Sequence, residues 1–267
     1  MARRPVFLAD DQQYVKTVII PYDYCGGLTA EQRKSSIDNL HKACRDQFPE
    51  ARVLEITKDS PEAIGRALSA SRLKLIVNTA PRFKKRKRFP KRKRRLIRKT
   101  FLKKSFEKKL LDKNEEEQEA LFRKASQRTC SLKKTNSAFF DVLYLSARVC
   151  ERGGPFPEVL RKRPYEARKS SRLTECGRVI GFRWEKKNIS AEPGTLFYTW
   201  LYLWALKRLP TLGNQLMEYD IFTDIRFFPL KETSCLARAA AIYKSLRRKD
   251  ELEKALQDPA FLAQIVA

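Results

Sequence analysis

The pattern of apolar and polar residues near the start of the chain predicts a strand followed by a helix. Residues 14–22 (YVKTVIIPY) are rich in β-branched and aromatic side chains, and the Gly26–Gly27 pair that follows is typical of a turn. Thr29 and Gln32 have the spacing of a capping box, so we expect a helix to begin there. Its apolar face repeats at helical spacing at Ile37, Leu40, Cys44 and Phe48.

Later apolar runs predict a body that mixes strands and helices. Residues 136–150 are apolar nearly all round, which predicts a buried helix that ends before Gly153, Gly154 and Pro155. The other predicted strands are 52–57, 73–77 and 179–184, and the other predicted helices are 60–70, one after Pro193, one around Leu216, 234–246 and a C-terminal pair ending near Ile265. The predicted fold class is α+β, a mostly helical body with a small sheet.

A strongly basic segment interrupts this pattern. Residues 82–99 include 13 Lys or Arg among 18 residues and no acidic residue, and residues 82–134 carry 23 − 6 = +17 of the formal net charge of +26. Because cations are unstable in a protein interior without partners, the segment must face water or a polyanion. We therefore predict a discontinuous body of residues 1–81 and 135–267, with a basic insertion at 82–134 that forms an extended arm over 82–99 and a helix over about 102–128.

The residues predicted to bind nucleic acid are the cations of the arm and the first cations of the following helix. Their charges would neutralise phosphates, and their arginines would add bidentate contacts. They are Arg82, Lys84, Lys85, Arg86, Lys87, Arg88, Lys91, Arg92, Lys93, Arg94, Arg95, Arg98, Lys99, Lys103 and Lys104.

Cysteine usage and hydropathy limit the classes of protein that this chain can belong to. The six cysteines form no CxxC pair and His41 is the sole histidine, so we expect no metal site, no cofactor and reduced thiols in an intracellular compartment. The most apolar window, residues 197–206, is half as long as a membrane-spanning helix, so we expect a core helix and no membrane partner.

Several segments together resemble a known family. The opening RRPVFLADDQQYVK, LTAEQRKSSIDNLHKA, ALSASRLKL, ERGGPF, RLTECGRVIGFRW, FYTWLYLWAL and EYDIFTDIRFFP occur in the order found in the antitoxin-type branch of the NADAR family. Proteins of this branch accompany DNA-modifying ADP-ribosyltransferase toxins. The resemblance covers about residues 1–81 and 135–267 and implies a small α+β fold with an ADP-ribose pocket, whose active members cleave an N-glycosidic bond.

The resemblance also implies that the pocket has lost polar groups. The family's central helix resembles Glu-x-x-Phe-Gln-x-x-Lys, and the matching positions here are Asp141, Tyr144, Leu145 and Arg148. Asp141 is one methylene shorter than Glu, and Leu145 replaces an amide. Phe228 and Leu236 also stand where polar side chains are expected. We interpret the pocket as a retired active site, in which Asp141 and Arg148 are vestigial catalytic candidates and no residue is catalytic.

The remaining pocket candidates each have a structural alternative. Asp220 and Asp224 could form a carboxylate pair, although we favour capping or turn bonding. Gly153 and Gly154 could offer N–H groups to a phosphate, although a helix stop is the simpler interpretation. His41 and the aromatic residues of 197–206 are interpreted as structural, with base stacking by the latter as the alternative.

These observations lead to a function hypothesis and an alternative from another class. The leading hypothesis is a non-catalytic structural component of a large ribonucleoprotein. This would be a ribosomal protein, with a mitochondrial location as one option, that binds structured RNA, rRNA in particular, and neighbouring subunits. The alternative is an ADP-ribosyl hydrolase that acts on modified nucleic acid. A third hypothesis, a nuclear or viral DNA-associated protein, follows from the localisation-like KKRKR and KRKRR.

Overall fold

A computed structural model of the protein describes residues 1–26, 29–76, 137–230 and 232–267. The fold class is α+β, as the sequence predicts. The strands are β1 Ala2–Asp10, β2 Tyr14–Tyr22, β3 Val53–Glu55, β4 Lys74–Ile76, β5 Ser137–Phe139, β6 Arg148–Cys150, β7 Val179–Trp184, β8 Lys187–Ser190 and β9 Ile221–Thr223. The helices are α1 Ala30–Gln47, α2 Ala63–Leu68, α3 Phe140–Ser146, α4 Pro164–Arg168, α5 Ser171–Thr174, α6 Leu196–Arg208, α7 Pro210–Leu216, α8 Leu236–Arg248, α9 Leu252–Gln257 and α10 Pro259–Val266, with a 3₁₀ helix at Pro157–Arg161.

The main sheet has four strands in the order β2-β1-β9-β3. Strands β1 and β2 form an antiparallel hairpin, and the Asp10 carboxylate closes its turn by accepting the N–H groups of Gln12 (2.8 Å) and Gln13 (2.6 Å). Strand β9 pairs antiparallel with β1 and parallel with β3. Strands β4 and β5 form a second sheet, and β6, β7 and β8 form a third.

Both faces of the main sheet are buried. Val6 and Phe7 are neighbours on β1, and Ile221 and Phe222 are neighbours on β9, so within each pair the side chains point to opposite faces. All four are buried. Val6 and Ile221 pack against α1, whose residues Ile37, Leu40 and Cys44 belong to the same hydrophobic cluster. Helix α8 contacts β1, β2 and β9.

Helix α6 is buried on almost every side, because its sequence is apolar all round. Its Trp200 donates an indole N–H hydrogen bond to the carbonyl oxygen of Leu256 (3.1 Å) on α9, so the ring's polar atom is satisfied inside the core. A second hydrophobic cluster joins α3 to the segment from Phe156 to Cys176. Residues Met1–Leu75 and Ser137–Ala267 form one compact unit.

Several predictions about local structure are confirmed. The strand at Tyr14–Tyr22 and the strand at Val179–Trp184 have the predicted bounds. Thr29 and Gln32 form both hydrogen bonds of the capping box at the start of α1. The arm at 82–99 and the helix over about 102–128 lie outside the described residues, so the division into a body and an insertion at 82–134 stays a prediction.

The helix predicted over 136–150 is wrong in extent. Residues Ser137–Phe139 are strand β5, the helix spans Phe140–Ser146, and Arg148–Cys150 are strand β6. The apolar run alone does not distinguish a buried helix from a buried strand, and here pairing of Arg148 with Phe182 on β7 selects the strand. Strand β1 was not predicted, and α2 begins at Ala63 rather than near Pro61.

The expectation that all thiols are reduced is wrong for one pair. Cys150 and Cys176 are joined by a disulfide bond within the second hydrophobic cluster. Their separation of 26 residues contains no spacing signal, so only the tertiary structure brings them together. Cys25, Cys44 and Cys235 are free among the described residues.

A glycine in α2 holds this helix against strand β3. A Cβ atom at Gly65 would overlap the carbonyl oxygen of Glu55 and Oγ of Ser60. Gly65→Ala should therefore destabilise the protein by about 1–3 kcal/mol, although Ala normally stabilises a helix relative to Gly. Thermal unfolding checks this. Gly26→Ala is the matched control, because nothing lies within 4 Å of its added Cβ atom; equal melting temperatures for the two variants would contradict the prediction.

Candidate active site

Two carboxylates meet where the parallel strands of the main sheet end. Glu55 is the last residue of β3, it lies opposite Thr223 at the end of β9, and Asp224 follows directly. Because β3 and β9 run in the same direction, their C-terminal ends lie at the same edge of the sheet. Ligands commonly bind at such edges. The acidic pair Glu55–Asp224 is therefore the centre of the candidate site.

Glu55 is fully buried and held by several hydrogen-bond donors. Its carboxylate accepts the hydroxyl of Thr223 (2.6 Å) and the backbone N–H of Ile225 (2.9 Å). Nε2 of His41 lies 3.2 Å from Oγ1 of Thr223, so the imidazole forms a buried hydrogen bond with this hydroxyl. Burial lowers the pKa of His41 to about 4, so this imidazole is neutral and structural, as the sequence predicts.

Asp224 is oriented by its own loop and remains partly exposed. Its Oδ1 accepts the N–H groups of Arg226 (2.9 Å) and Phe227 (3.1 Å), which leaves Oδ2 3.9 Å from the Cys235 thiol. Burial, and after it the adjacent Glu55 carboxylate, raise the pKa of Asp224 to about 7. Burial also raises the pKa of Glu55. The pair can therefore hold a proton near neutral pH, which general acid–base catalysis requires.

A group of aromatic side chains, here called the aromatic wall, joins α3, β7 and α6 and reaches the acidic pair at Tyr198. The Tyr144 ring lies 5.2 Å from both Phe182 and Tyr198, and Phe182 stacks on Phe197 at 4.3 Å between centroids. Burial, followed by the negative charges of Asp141 and Asp224, raises the pKa of Tyr198 well above its usual value. The partly exposed Tyr198 thus lies near the carboxylates of Asp141 and Asp224, and it connects α3 with the acidic pair.

The structure brings together three of the residues that the sequence selected on α3 and β6. Asp141 is partly exposed and accepts a 2.7 Å hydrogen bond from the guanidinium of Arg168. The Arg148 guanidinium lies 5.3 Å from the centre of the Tyr144 ring, and its Nε is buried without a hydrogen-bond partner among the described residues. Leu145, by contrast, is a buried member of the second hydrophobic cluster.

The other candidates lie elsewhere. Asp220 precedes β9, at the opposite end from Asp224, and accepts hydrogen bonds from Lys244 (2.8 Å) and the N–H of Arg52 (3.0 Å), so the two aspartates are not paired. The N–H of Gly153 donates to the Cys150 carbonyl (3.1 Å) and is not free for a phosphate. At Gly154, with φ of +116°, a Cβ atom would overlap the Arg148 carbonyl oxygen.

Sequence reasoning missed Glu55 and its connection to Asp224. Glu55 stands between Leu54 and Ile56, both buried, so a charged residue inside an apolar strand was the available signal. Phe228 is exposed and Leu236 is buried in the first turn of α8. Within the described ranges no group of three or more His, Cys, Asp or Glu could hold a metal ion, and no helix is long and apolar enough to cross a membrane.

These features define a class of protein: an α+β fold with two neighbouring carboxylates at a sheet edge and a group of aromatic rings that reaches them at Tyr198. The family model of the DarT1-associated NADAR antitoxin matches residues 2–89 and 85–267. The chain therefore belongs to the DarT1-associated NADAR antitoxin family, which confirms the resemblance to the antitoxin-type branch. No curated protein matches the chain significantly.

This family assignment overturns the leading function hypothesis. A ribosomal, rRNA-binding or other ribonucleoprotein component, with structured RNA and neighbouring subunits as partners, is wrong for a chain that matches an antitoxin family along almost its whole length. The physical reason for the error is that the basic segment is attracted to any phosphate backbone. Net charge therefore cannot distinguish rRNA from DNA, and the folded body carries the information that the charge lacks.

The raised pKa of Asp224 predicts how stability depends on pH. The carboxyl pKa changes from an ordinary value of 3.8 to about 7 on folding, so the folded protein binds the proton more tightly. The contribution of this carboxyl to the free energy of unfolding is fully present below pH 3.8 and is lost as the pH rises to about 7. Asp224→Asn should remove this pH dependence of the free energy of unfolding. The effect is at most about 1.4 kcal/mol for each unit of pKa shift, and it is smaller here because the side chain is partly exposed.

Urea unfolding between pH 4 and 8 measures this difference. Asp38→Asn is the matched control, because Asp38 is exposed on α1. Its stability curve should run parallel to that of the wild type. A parallel curve for Asp224→Asn as well would contradict the prediction.

Proposed function

We propose that the protein is an ADP-ribosyl hydrolase that removes ADP-ribose from a modified DNA base by cleaving the N-glycosidic bond. The observation that carries this proposal is the meeting of Glu55 and Asp224 at the ends of β3 and β9, beside an aromatic wall. Membership in an antitoxin family supports the direction of the reaction, since removal of the group would reverse a toxin's modification. The DarT1 toxin or its modified DNA is the proposed partner in place of rRNA.

Asp224 is the proposed acid and base. In its protonated form it gives its proton to the departing base nitrogen as the bond from that nitrogen to the ribose C1 breaks. The resulting Asp224 carboxylate then takes a proton from a water molecule, whose oxygen bonds to C1. The products are the unmodified base and free ADP-ribose, and Asp224 is protonated again. Oδ1 of Asp224 is occupied by two backbone N–H groups, so Oδ2 performs both transfers.

Glu55 and the aromatic wall prepare this reaction without touching the breaking bond. Glu55 is fully buried, so it acts on Asp224 as a positioning residue whose charge favours the protonated form of its neighbour. Tyr144 and Tyr198 supply faces on which a ribose or base ring can pack. Asp141 is engaged by Arg168, and we therefore assign the proton transfers to Asp224 and not to Asp141.

The interpretation as a retired site depended on Asp141, Leu145, Phe228 and Leu236. Leu145 belongs to the hydrophobic core, so its apolar character removes nothing from the wall described here. The proposed intracellular location follows from the need to reach DNA. The cations of residues 82–99 are proposed to add phosphate contacts with that DNA.

Asp224→Asn should abolish most of the activity. Loss of a general acid or base typically lowers kcat by about 10²–10⁴-fold, and the folded protein should persist because Asn keeps the size of the side chain. The assay is release of ADP-ribose from an oligonucleotide carrying ADP-ribosylated guanine. Asp38→Asn should retain wild-type turnover. No release by the wild-type protein would restore the retired-site interpretation.

Glu55→Gln tests the positioning role through the pH profile. Activity of the wild type should fall as pH rises through about 7, where Asp224 loses its proton. Removing the neighbouring negative charge lowers the pKa of Asp224, so the alkaline fall should move to lower pH. The measurement is kcat/KM against pH for both proteins. If Glu55→Gln lowers kcat/KM at every pH but leaves the pH of the alkaline fall unchanged, Glu55 has only a structural role.

A further inference from the structure

A compact basic surface lies outside the acidic pair and outside the basic insertion. Residues 161–172 (RKRPYEARKSSR) include six Lys or Arg and one Glu, and all six cations are exposed. Tyr165 in their midst is an exposed aromatic residue, with 67% of its surface open to solvent. We call residues 161–172 the basic-aromatic surface. Isolated exposed rings are ordinary, but a ring with cations on both sides of it in the sequence combines the two features that bind unpaired nucleotides.

The backbone of this surface is well held. It comprises the end of the 3₁₀ helix, helix α4 and the start of α5. Ala167 and Leu173 anchor it in the second hydrophobic cluster, and the Lys162 ammonium donates to Oγ of Ser170 (3.0 Å) across its ends. The Lys169 ammonium lies 4.3 Å from the centre of the Tyr165 ring, which places a cation beside the aromatic face. The surface therefore presents its charges on a fixed scaffold.

One residue connects this surface to the active site. Arg168 is exposed on α4, and its guanidinium binds the carboxylate of Asp141 at 2.7 Å. The negative charge of Asp141, like that of Asp224, adds to the effect of burial in raising the pKa of the Tyr198 hydroxyl. Residues 161–172 are thus linked through the Arg168–Asp141 ion pair to α3, the helix that carries Tyr144 of the aromatic wall.

We propose that the basic-aromatic surface binds a single DNA strand next to the modified nucleotide. Arg161, Arg163 and Lys169 contact phosphates, and an unpaired base stacks on Tyr165. This inference rests on the proposed function for the identity of the strand. It goes further by naming the surface that holds the flanking nucleotides. Exposed aromatic stacking requires an unpaired base, so the partner is a single strand and not a duplex.

The combination of cations with an exposed aromatic ring favours a nucleic acid strand over an acidic protein surface. An acidic protein surface would also gain from the cations, but every nucleotide of a strand carries a base that can stack on Tyr165, whereas an acidic surface carries an aromatic ring at only some positions. A nucleic acid strand uses both features at once, and each contributes a separate signature. Phosphate contacts make affinity fall with salt concentration, whereas stacking contributes affinity with little salt dependence.

The test measures binding of an unmodified, fluorescently labelled DNA strand of about 12 nucleotides to the full chain, by anisotropy at several salt concentrations. Because the probe carries no ADP-ribose, a failure of the proposed hydrolysis does not affect this measurement. Replacing Arg161, Arg163 and Lys169 together by Gln should lower the slope of log affinity against log salt by about 2, with an affinity loss of about tenfold or more. Tyr165→Ala should lose about fivefold or more at an unchanged slope, and Tyr165→Phe should bind like the wild type.

A charge-matched control separates a local site from net charge. Lys34, Lys42 and Arg45 are exposed on α1, and their triple replacement by Gln removes the same charge. This control should bind almost like the wild type. The proposal is overturned if both triple variants lose the same affinity, or if Tyr165→Phe is as weak as Tyr165→Ala. It is also overturned if the variants bind DNA normally and lose only binding to poly-glutamate, which would indicate a protein-docking surface.

Discussion

The buried carboxylate of Glu55 is the constraint on which the rest of the site depends. A carboxylate without water must be satisfied by donors, and here the hydroxyl of Thr223 and the N–H of Ile225 supply them. Both donors belong to the end of β9 or the residues just after it. The parallel pairing of β3 with β9 is therefore fixed by side-chain chemistry as well as by the ladder of the sheet.

The same hydrogen bonds determine where the chain goes after β9. Once Ile225 donates to Glu55, Asp224 must turn its carboxylate towards the N–H groups that follow, and it does so at Arg226 and Phe227. The proton affinity of Asp224 is a consequence of this geometry, since burial and a like charge act together on one group. The path of the chain after β9 and the raised pKa of Asp224 thus have the same cause, which is the burial of Glu55 at the ends of β3 and β9.

Local signals predicted local structure well in this chain. The capping box of Thr29 and Gln32 and the apolar run of α6 involve residues near each other in sequence, so the pattern contains the whole interaction. Strand β6 was missed because its residues became a strand only by pairing with β7. Glu55 and Asp224 are 169 residues apart in sequence, and no spacing rule connects them. The hypothesis of a ribosomal RNA-binding protein was wrong because it relied on the basic segment, and Coulomb attraction to phosphate does not distinguish RNA from DNA.

The pairing of β4 with β5 has a consequence for how this family can vary. Strands β4 and β5 precede and follow residues 77–136 in sequence and pair in one small sheet, and the N–H of Phe140 donates to the carbonyl oxygen of Leu73 (2.9 Å), so the intervening sequence joins two neighbouring points of the described fold. Each doubling of the length between two such points costs only about 0.6 kcal/mol of closure entropy. A change in the length of the intervening sequence should therefore cost the described fold little stability. The sequence between β4 and β5 can therefore change in length while the packing of the core stays the same.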